Sequence, residues 1–334
     1  MDRPTIYDII YALAATDGRE AALFGNCAPL AHWAFEHSLV EDTFPELWFE
    51  LPLHGTPWFD LHKVISVNDL GCVDALSPEM TGGCPKVFEW FAEQENDVCQ
   101  FARSWDIHSG EVKTPAFAVL MKKNDPRVTE EFLEAAGRGD VVQARRSFVE
   151  RLPQGWFPCY TAVFPQRPGF DLRVECIPNK ELQHAYANDS SLLSAHLKQV
   201  GLADLGDTLV QRCQLLARTP FQLEFQFDVD ANGTTRPTFG ASLRFNQPPG
   251  NDSWQAFTLE GAAGDLMAQV EAWGLADERW RLLADITFSK RASRGLEECK
   301  FFCFPAFVKL RWRSGEPLDA KAYLLSKCTN SVSL

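Results

Sequence analysis

The chain is short of positive charge, of paired cysteines and of the glycine loops that cradle phosphates. Its 32 Lys and Arg stand against 45 Asp and Glu, a formal net charge of −13 over 334 residues. Such a field repels a phosphate backbone, so nucleic acid is not an expected partner. Ten cysteines include no CxxC, and the close pair Cys299 and Cys303 has no His nearby to complete a zinc pattern. GxxxxGKS/T and GxGxxG are both missing, which argues against a P-loop NTPase and a dinucleotide-binding oxidoreductase. GxSxG and HExxH are missing too. No apolar run reaches the length of a membrane span. The opening MDRPTIYDII lacks the basic and apolar segments of a secretory signal. The expected compartment is therefore the cytoplasm, with reduced thiols that serve mostly as small core residues.

What the chain does have is aromatic residues, 25 Phe and 10 Trp, within a hydrophobic content of 46%. Residues 221–246 show how they are used. Phe221, Leu223, Phe225 and Phe227 alternate with Gln222, Glu224, Gln226 and Asp228. This is the period-two pattern of a strand with one apolar and one polar face. Asp230–Gly233 supplies turn chemistry. A second arm then alternates Ala241, Leu243 and Phe245 with Ser242, Arg244 and Asn246. The segment is a β-hairpin, preceded by a helical stretch over Ser191–Ala217.

The same helix–hairpin unit recurs. Residues 4–40 read as helix broken near Gly25–Pro29, followed by strands at Leu47–Leu53 and Trp58–Val67. A helix at Lys86–Asn96 precedes strands at Val98–Ile107 and Thr114–Lys122. A helix over Asp125–Leu152, with a break at Gly137–Gly139, precedes Trp156–Phe164 and Phe170–Ile177. A helix over Glu260–Phe288, broken near Gly274, precedes Phe301–Trp312 and Leu318–Leu325. Five units and ten strands predict an α+β fold: a ten-stranded antiparallel β-barrel surrounded by helices, five αββ(α) repeats forming a single domain over 1–334. Closure removes the exposed sheet edges. The alternative is a pair of open α+β layers.

In a barrel clothed by helices, apolar faces look outward and polar faces look into the lumen. Parity then sends inward Glu50, Asp60 and His62; Arg173 and Glu175; Gln222, Glu224, Gln226, Asp228, Ser242, Arg244 and Asn246; and Lys309, Arg311, Asp319, Lys321 and Tyr323. The second hairpin resists phasing, since Gln100, Ser104 and Asp106 share one parity and Arg103 has the other. So many ionisable groups suit a water-filled chamber with paired charges. Glu224 and Asp228 are expected to pair with Arg244 on the partner strand rather than to share a cation.

Three stretches carry a resemblance. Leu192-Leu193…Leu197…Val200-Gly201, followed by Gln222-Leu-Glu-Phe-Gln-Phe-Asp-Val, is similar to the fourth unit of the ABBA prenyltransferases, closest in flavour to those that prenylate cyanobactin peptides. Lys321-Ala322-Tyr323-Leu324 is similar to their Lys-x-Tyr strand ends. Pro45-Glu46-Leu47-Trp48-Phe49-Glu50 resembles their first strand, which bears a catalytic carboxylate. The resemblance implies transfer of a short prenyl group, such as dimethylallyl, from an allylic diphosphate to an aromatic or peptide acceptor, away from membranes. It implies Glu50 as the base. Arg173, Arg244, Lys309, Arg311 and Lys321, with Tyr323 and His62, would bind the diphosphate. Departures are visible. The third unit reads Arg173-Val-Glu175, where the family has a second cation, and Ala116–Met121 has no Lys-x-Tyr. His62 or Lys63 stands for the first unit's Arg. Either Mg²⁺ helps to carry the diphosphate, with acids as ligands, or the barrel takes another ligand. Two alternatives stay open: a non-catalytic binding protein for a peptide or small ligand, and a pentein-like guanidino hydrolase using Cys328.

Overall fold

A computed structural model describes residues 19–25, 46–65, 84–95, 98–106, 115–123, 125–165, 171–202, 206–245, 259–285, 288–294 and 297–330. The predicted barrel is present. Its strands are β1 (Glu46–Pro52), β2 (Asp60–Ile65), β3 (Cys99–Trp105), β4 (Ala116–Met121), β5 (Trp156–Val163), β6 (Leu172–Pro178), β7 (Gln222–Val229), β8 (Thr235–Arg244), β10 (Glu297–Arg313) and β11 (Glu316–Asn330). Each pairs antiparallel with its neighbours, and β11 returns to pair with β1, closing the ring. The additional β9 (Phe288–Arg294) pairs with the first half of β10, outside the ring. The sequence reading had placed Phe288 at the end of a helix. That helix is instead three pieces, ending at Asp285.

Around the strands lie α1 (Arg19–Phe24), α2 (Pro85–Ala92), α3 (Pro126–Ala135), α4 (Val142–Glu150), α5 (Lys180–Asn188), α6 (Ser190–Gln199), α7 (Gly206–Ala217), α8 (Ala262–Ala272) and the short α9 (Leu282–Asp285). The expected first helices fall almost wholly outside the described residues. The single helix read over Ser191–Ala217 is two, α6 and α7, and α5 was not anticipated. Its start is nonetheless encoded: the Asn179 side chain accepts from the Leu182 N–H at 2.8 Å. Asp189 then caps α6 by accepting from Ser191 and Leu192. Pro85 and Pro126 open α2 and α3, where a missing N–H costs nothing.

The outer face of the barrel packs on these helices through one aromatic-rich core. Trp156 lies 5.1 Å from Phe225 and 5.9 Å from Phe227, and Phe239 continues the layer to Trp312. These are the apolar-parity residues of the alternating strands, so the assignment of faces holds. β6 shows it most cleanly, buried and part-exposed residues alternating along all seven positions. Two turns fix the register. Asp230 accepts from the N–H groups of Asn232 and Thr234, and Gly233 takes positive φ. Ser314 and Gly315, both at positive φ, form the two-residue loop between β10 and β11.

Candidate active site

The ladder hydrogen bonds place the inward residues in rows around the lumen. One row runs Gln222, Arg244, Phe307, Tyr323, Glu50, Asp60. A second runs Glu224, Ser242, Lys309, Lys321. A third runs Leu120, Tyr160, Glu175, Gln226, Gly240, Arg311, Asp319. A fourth is different in kind: Val64, Ala102, Ala118 and Ala162 are paired in turn before the row reaches Arg173 and Asp228. The lumen thus has a charged side, built by β6–β8, β10, β11, β1 and the start of β2, and an apolar patch where Val64, Ala102, Ala118 and Ala162 cross β2–β5. The sequence pattern does not foresee the apolar patch, because β4 is apolar on both faces and β3 carries polar residues of both parities.

A cavity of about 130 Å³ lies between the two. All eight candidate residues line it: Glu50, His62, Arg173, Arg244, Lys309, Arg311, Lys321 and Tyr323. Ser104 and Asp106 also line it, whereas Arg103 points outward, its guanidinium 5.2 Å over the Phe88 ring of α2. That settles the phase of the second hairpin. Gln222, at the end of its row, is exposed and does not line the cavity, and Asn246 lies outside the described residues.

Every one of the five cations is matched to a carboxylate. Arg173 binds Asp228 at 2.8 Å and Arg244 binds Glu224 at 2.8 Å. Asp228 therefore turns to the strand on its other side rather than to Arg244. Arg311 binds Asp319 directly opposite it. Lys309 reaches across the interior, past β7 and β8, to Glu175 at 3.0 Å. Lys321 binds Glu50. Pairing is what makes this much buried charge tolerable.

Glu50 is the most heavily engaged of the acids. It accepts from Lys321, from the Tyr323 hydroxyl and, at 3.1 Å, from His62 Nε2. Burial alone would raise its pKa. The Lys321 charge, His62 and Lys309 outweigh burial and hold the carboxyl well below its usual range. An ionised carboxylate only accepts, so His62 Nε2 carries the proton it shares with Glu50, and its Nδ1 is hydrogen-bonded to Ser104 Oγ, 2.6 Å away. Tyr323 titrates well above its usual value, through burial and the Glu50 charge.

Aromatic faces surround this cluster. Tyr323 stacks on Phe307 with centroids 4.0 Å apart, and Trp48 lies 5.4 Å from Phe307. Lys309 sits 5.2 Å over Tyr323, Lys321 4.7 Å over Trp58, and Arg173 4.8 Å over Phe164. Such faces stabilise a cation and exclude water.

The described residues contain no cluster of three His, Cys, Asp or Glu side chains placed to hold a metal. The five lumenal acids above are already committed to Arg and Lys. Cavity-lining residues include no cysteine, and Cys328 belongs to the far end of β11. No helix among the described residues is long and apolar enough to cross a membrane.

No protein-family model matches the chain, and no curated protein matches its sequence. The backbone, in contrast, is similar to that of the crystal structure of 5-dimethylallyltryptophan synthase from Streptomyces coelicolor. The TM-score is 0.56 over 97% of this chain and 98% of that one, at 14% identity. A 6-dimethylallyl tryptophan synthase covers 97% of the chain at TM-score 0.48 and 14% identity. The chain has the closed ten-stranded PT-barrel fold of these prenyltransferases.

Proposed function

We propose that the chain transfers a short prenyl group, such as dimethylallyl, from an allylic diphosphate to an aromatic acceptor held in the lumen. The observation that carries this reading is the convergence of five cations, an ionised Glu50 and four aromatic faces on one cavity inside a PT-barrel. In the reaction the bond between allylic carbon and diphosphate oxygen breaks, and its electron pair leaves with the diphosphate. Arg173, Arg244, Lys309, Arg311 and Lys321 stabilise that leaving charge, which is the dominant electrostatic demand. Trp48, Phe307, Tyr323 and Phe164 shield the allyl cation. The acceptor's π electrons form the new bond to carbon, and Glu50 takes the proton the acceptor loses. An aromatic side chain presented on a peptide is a second class of acceptor compatible with the same chemistry.

The test is incubation with dimethylallyl diphosphate and a panel of indoles, phenols and aromatic peptides, followed by mass spectrometry. Prenylated product that disappears in Glu50→Gln, with weaker diphosphate binding in Lys321→Ala, supports the proposal. Unchanged turnover in both variants sinks the assignment of the site. The complete matching of cations by acids favours one second reading, a non-catalytic lumen that binds a peptide or small ligand. Acceptor binding without consumption of any allylic diphosphate, with or without Mg²⁺, would decide for it.

A further inference from the structure

The pairing that neutralises the lumen presents a difficulty for the reaction, and the geometry points to its solution. A base that already accepts three hydrogen bonds, one of them from an ammonium, has little negative charge left to draw an acceptor's proton. Glu50 also lies too low in pKa to draw a proton efficiently. Yet one of its three donors is also the residue best placed to meet an anion. Lys321 lies directly opposite Lys309 across the β10–β11 ladder, so two ammonium side chains start from neighbouring positions on the same wall. Both are nearly buried, at 9% and 8% side-chain exposure, and both line the cavity.

We propose that Lys321 has two positions: in the resting barrel it closes on Glu50, and an incoming diphosphate draws it away, so that anion binding and release of Glu50 as a base are one event. This rests on the reading of the lumen as a diphosphate site. The groups that face Glu50 make the consequence specific. β11 contributes Lys321 and Tyr323, β2 contributes His62 and Asp60, and β10 contributes Lys309 and Arg311. When Lys321 and Lys309 turn to the diphosphate, their positive charge is offset by the ligand. Glu50 then keeps His62 and Tyr323 but loses its main counter-charge, while burial, which favours the neutral acid, remains. The carboxyl rises toward a useful base. His62 stays in place because Ser104 holds its Nδ1, so it acts as a positioning residue that keeps one carboxylate oxygen oriented while the other is freed. The acceptor would thus meet an armed base only after the diphosphate has arrived.

The prediction is proton uptake linked to anion binding. Titration calorimetry with inorganic pyrophosphate, in buffers of different ionisation enthalpy near pH 6.5, counts protons exchanged per anion bound. Pyrophosphate itself titrates near this pH and responds to the charge of each variant, so the count is repeated with sulfate, which does not titrate there, to isolate Glu50. Wild type should take up more protons than Glu50→Gln, by as much as about one per site. Lys321→Met should bind roughly tenfold or more weakly, the effect of losing a charge-assisted contact, and should lose the excess uptake. Equal proton counts in wild type and Glu50→Gln, with pyrophosphate bound in both, overturn the proposal while leaving the diphosphate site standing. Absence of pyrophosphate binding overturns both. Should Glu50→Gln fail to fold, sulfate read in the wild type alone replaces it, since sulfate does not titrate near neutrality. Uptake with sulfate supports the coupling, and binding without uptake overturns it.

Discussion

Glu50 and Glu224 are both buried carboxylates in the same lumen, and their surroundings push them in opposite directions. Burial raises each. At Glu224 only Arg244 opposes it closely, and the nearby Glu175 adds to the rise, so the pKa ends above its usual value. At Glu50 the Lys321 charge, His62 and Lys309 reverse the sign. Environments that separate like groups in this way mark out roles, and under the proposed reaction the proton-accepting part falls to Glu50, the residue beside the aromatic pair Phe307 and Tyr323. Glu50→Gln should therefore lower turnover about 10²–10⁴-fold, the usual worth of a positioned base, while diphosphate binds more tightly, since Lys321 no longer has to leave an acid to meet it. A drop confined to KM would remove Glu50 from the chemistry. The same depressed pKa has a stability consequence. The unfolded carboxyl binds a proton near 4.5 and the folded one only at lower pH. The stabilisation is thus present above pH 4.5 and is lost as pH falls through the folded value. Acid unfolding of Glu50→Gln should consequently be less steep than that of wild type. Parity alone made all eight candidate residues legible in the sequence. Their partners were not legible, because Lys309 meets Glu175 from a strand three places away in the sheet, a relation no local pattern encodes.

At the scale of elements, strands that alternate strictly were read correctly, and strands that do not were read poorly. β6 and β7 place polar residues every second position. β4, Ala116–Met121, has only apolar residues, so its inward face could not be told from its outward one. The outcome is the alanine wall, where Ala102, Ala118 and Ala162 stand side by side on three strands. Of this wall, Ala102 and the neighbouring Val64 reach the cavity, while Ala118 and Ala162 are packed in an apolar cluster. Ala102→Phe should reduce the space open to the apolar part of a ligand. It should slow transfer of a longer prenyl chain more than that of dimethylallyl and leave pyrophosphate binding intact. Equal loss for both chains would show that the wall does not contact the donor. The helical layer offers a separate test. Trp156 Nε1 donates to Tyr186, whose hydroxyl donates to His196 Nδ1 at 2.7 Å. Burial lowers the His196 pKa below 6.5, so as pH falls the unfolded chain takes up this proton first. Stability should decline as pH falls from 6.5 to the lower folded value. Thermal unfolding of His196→Gln between pH 7.5 and pH 5 should show a smaller decline, and an identical one would remove His196 as its source.

The whole molecule brings its first and last strands together. Closure pairs β1 with β11, and so sets Glu50 from the beginning of the chain against Lys321 and Tyr323 near its end. The site exists only in the closed ring, and five recurrences of helix and hairpin were enough to anticipate that ring. Net charge sets a further condition on its use. The five lumenal cations are balanced by Glu50, Glu175, Glu224, Asp228 and Asp319, and the cavity is lined by Asp60 and Asp106 besides. The chain as a whole carries −13. An anion approaching the barrel therefore meets repulsion at long range and finds cations only inside. At about 10 mM salt the Debye length is roughly 30 Å, comparable to the protein itself, and at about 0.1 M it is roughly 10 Å. Screening should weaken the long-range repulsion over this range while reaching the enclosed ion pairs far less. The association rate of pyrophosphate, followed by stopped-flow fluorescence of Trp48 and Trp105 in the cavity wall, should accordingly rise with salt. This is the reverse of an enzyme that steers its anionic substrate by a cationic field. A rate that falls with salt would mean that the lumen projects a positive potential through its mouth, and that its acids are displaced before the diphosphate arrives rather than by it.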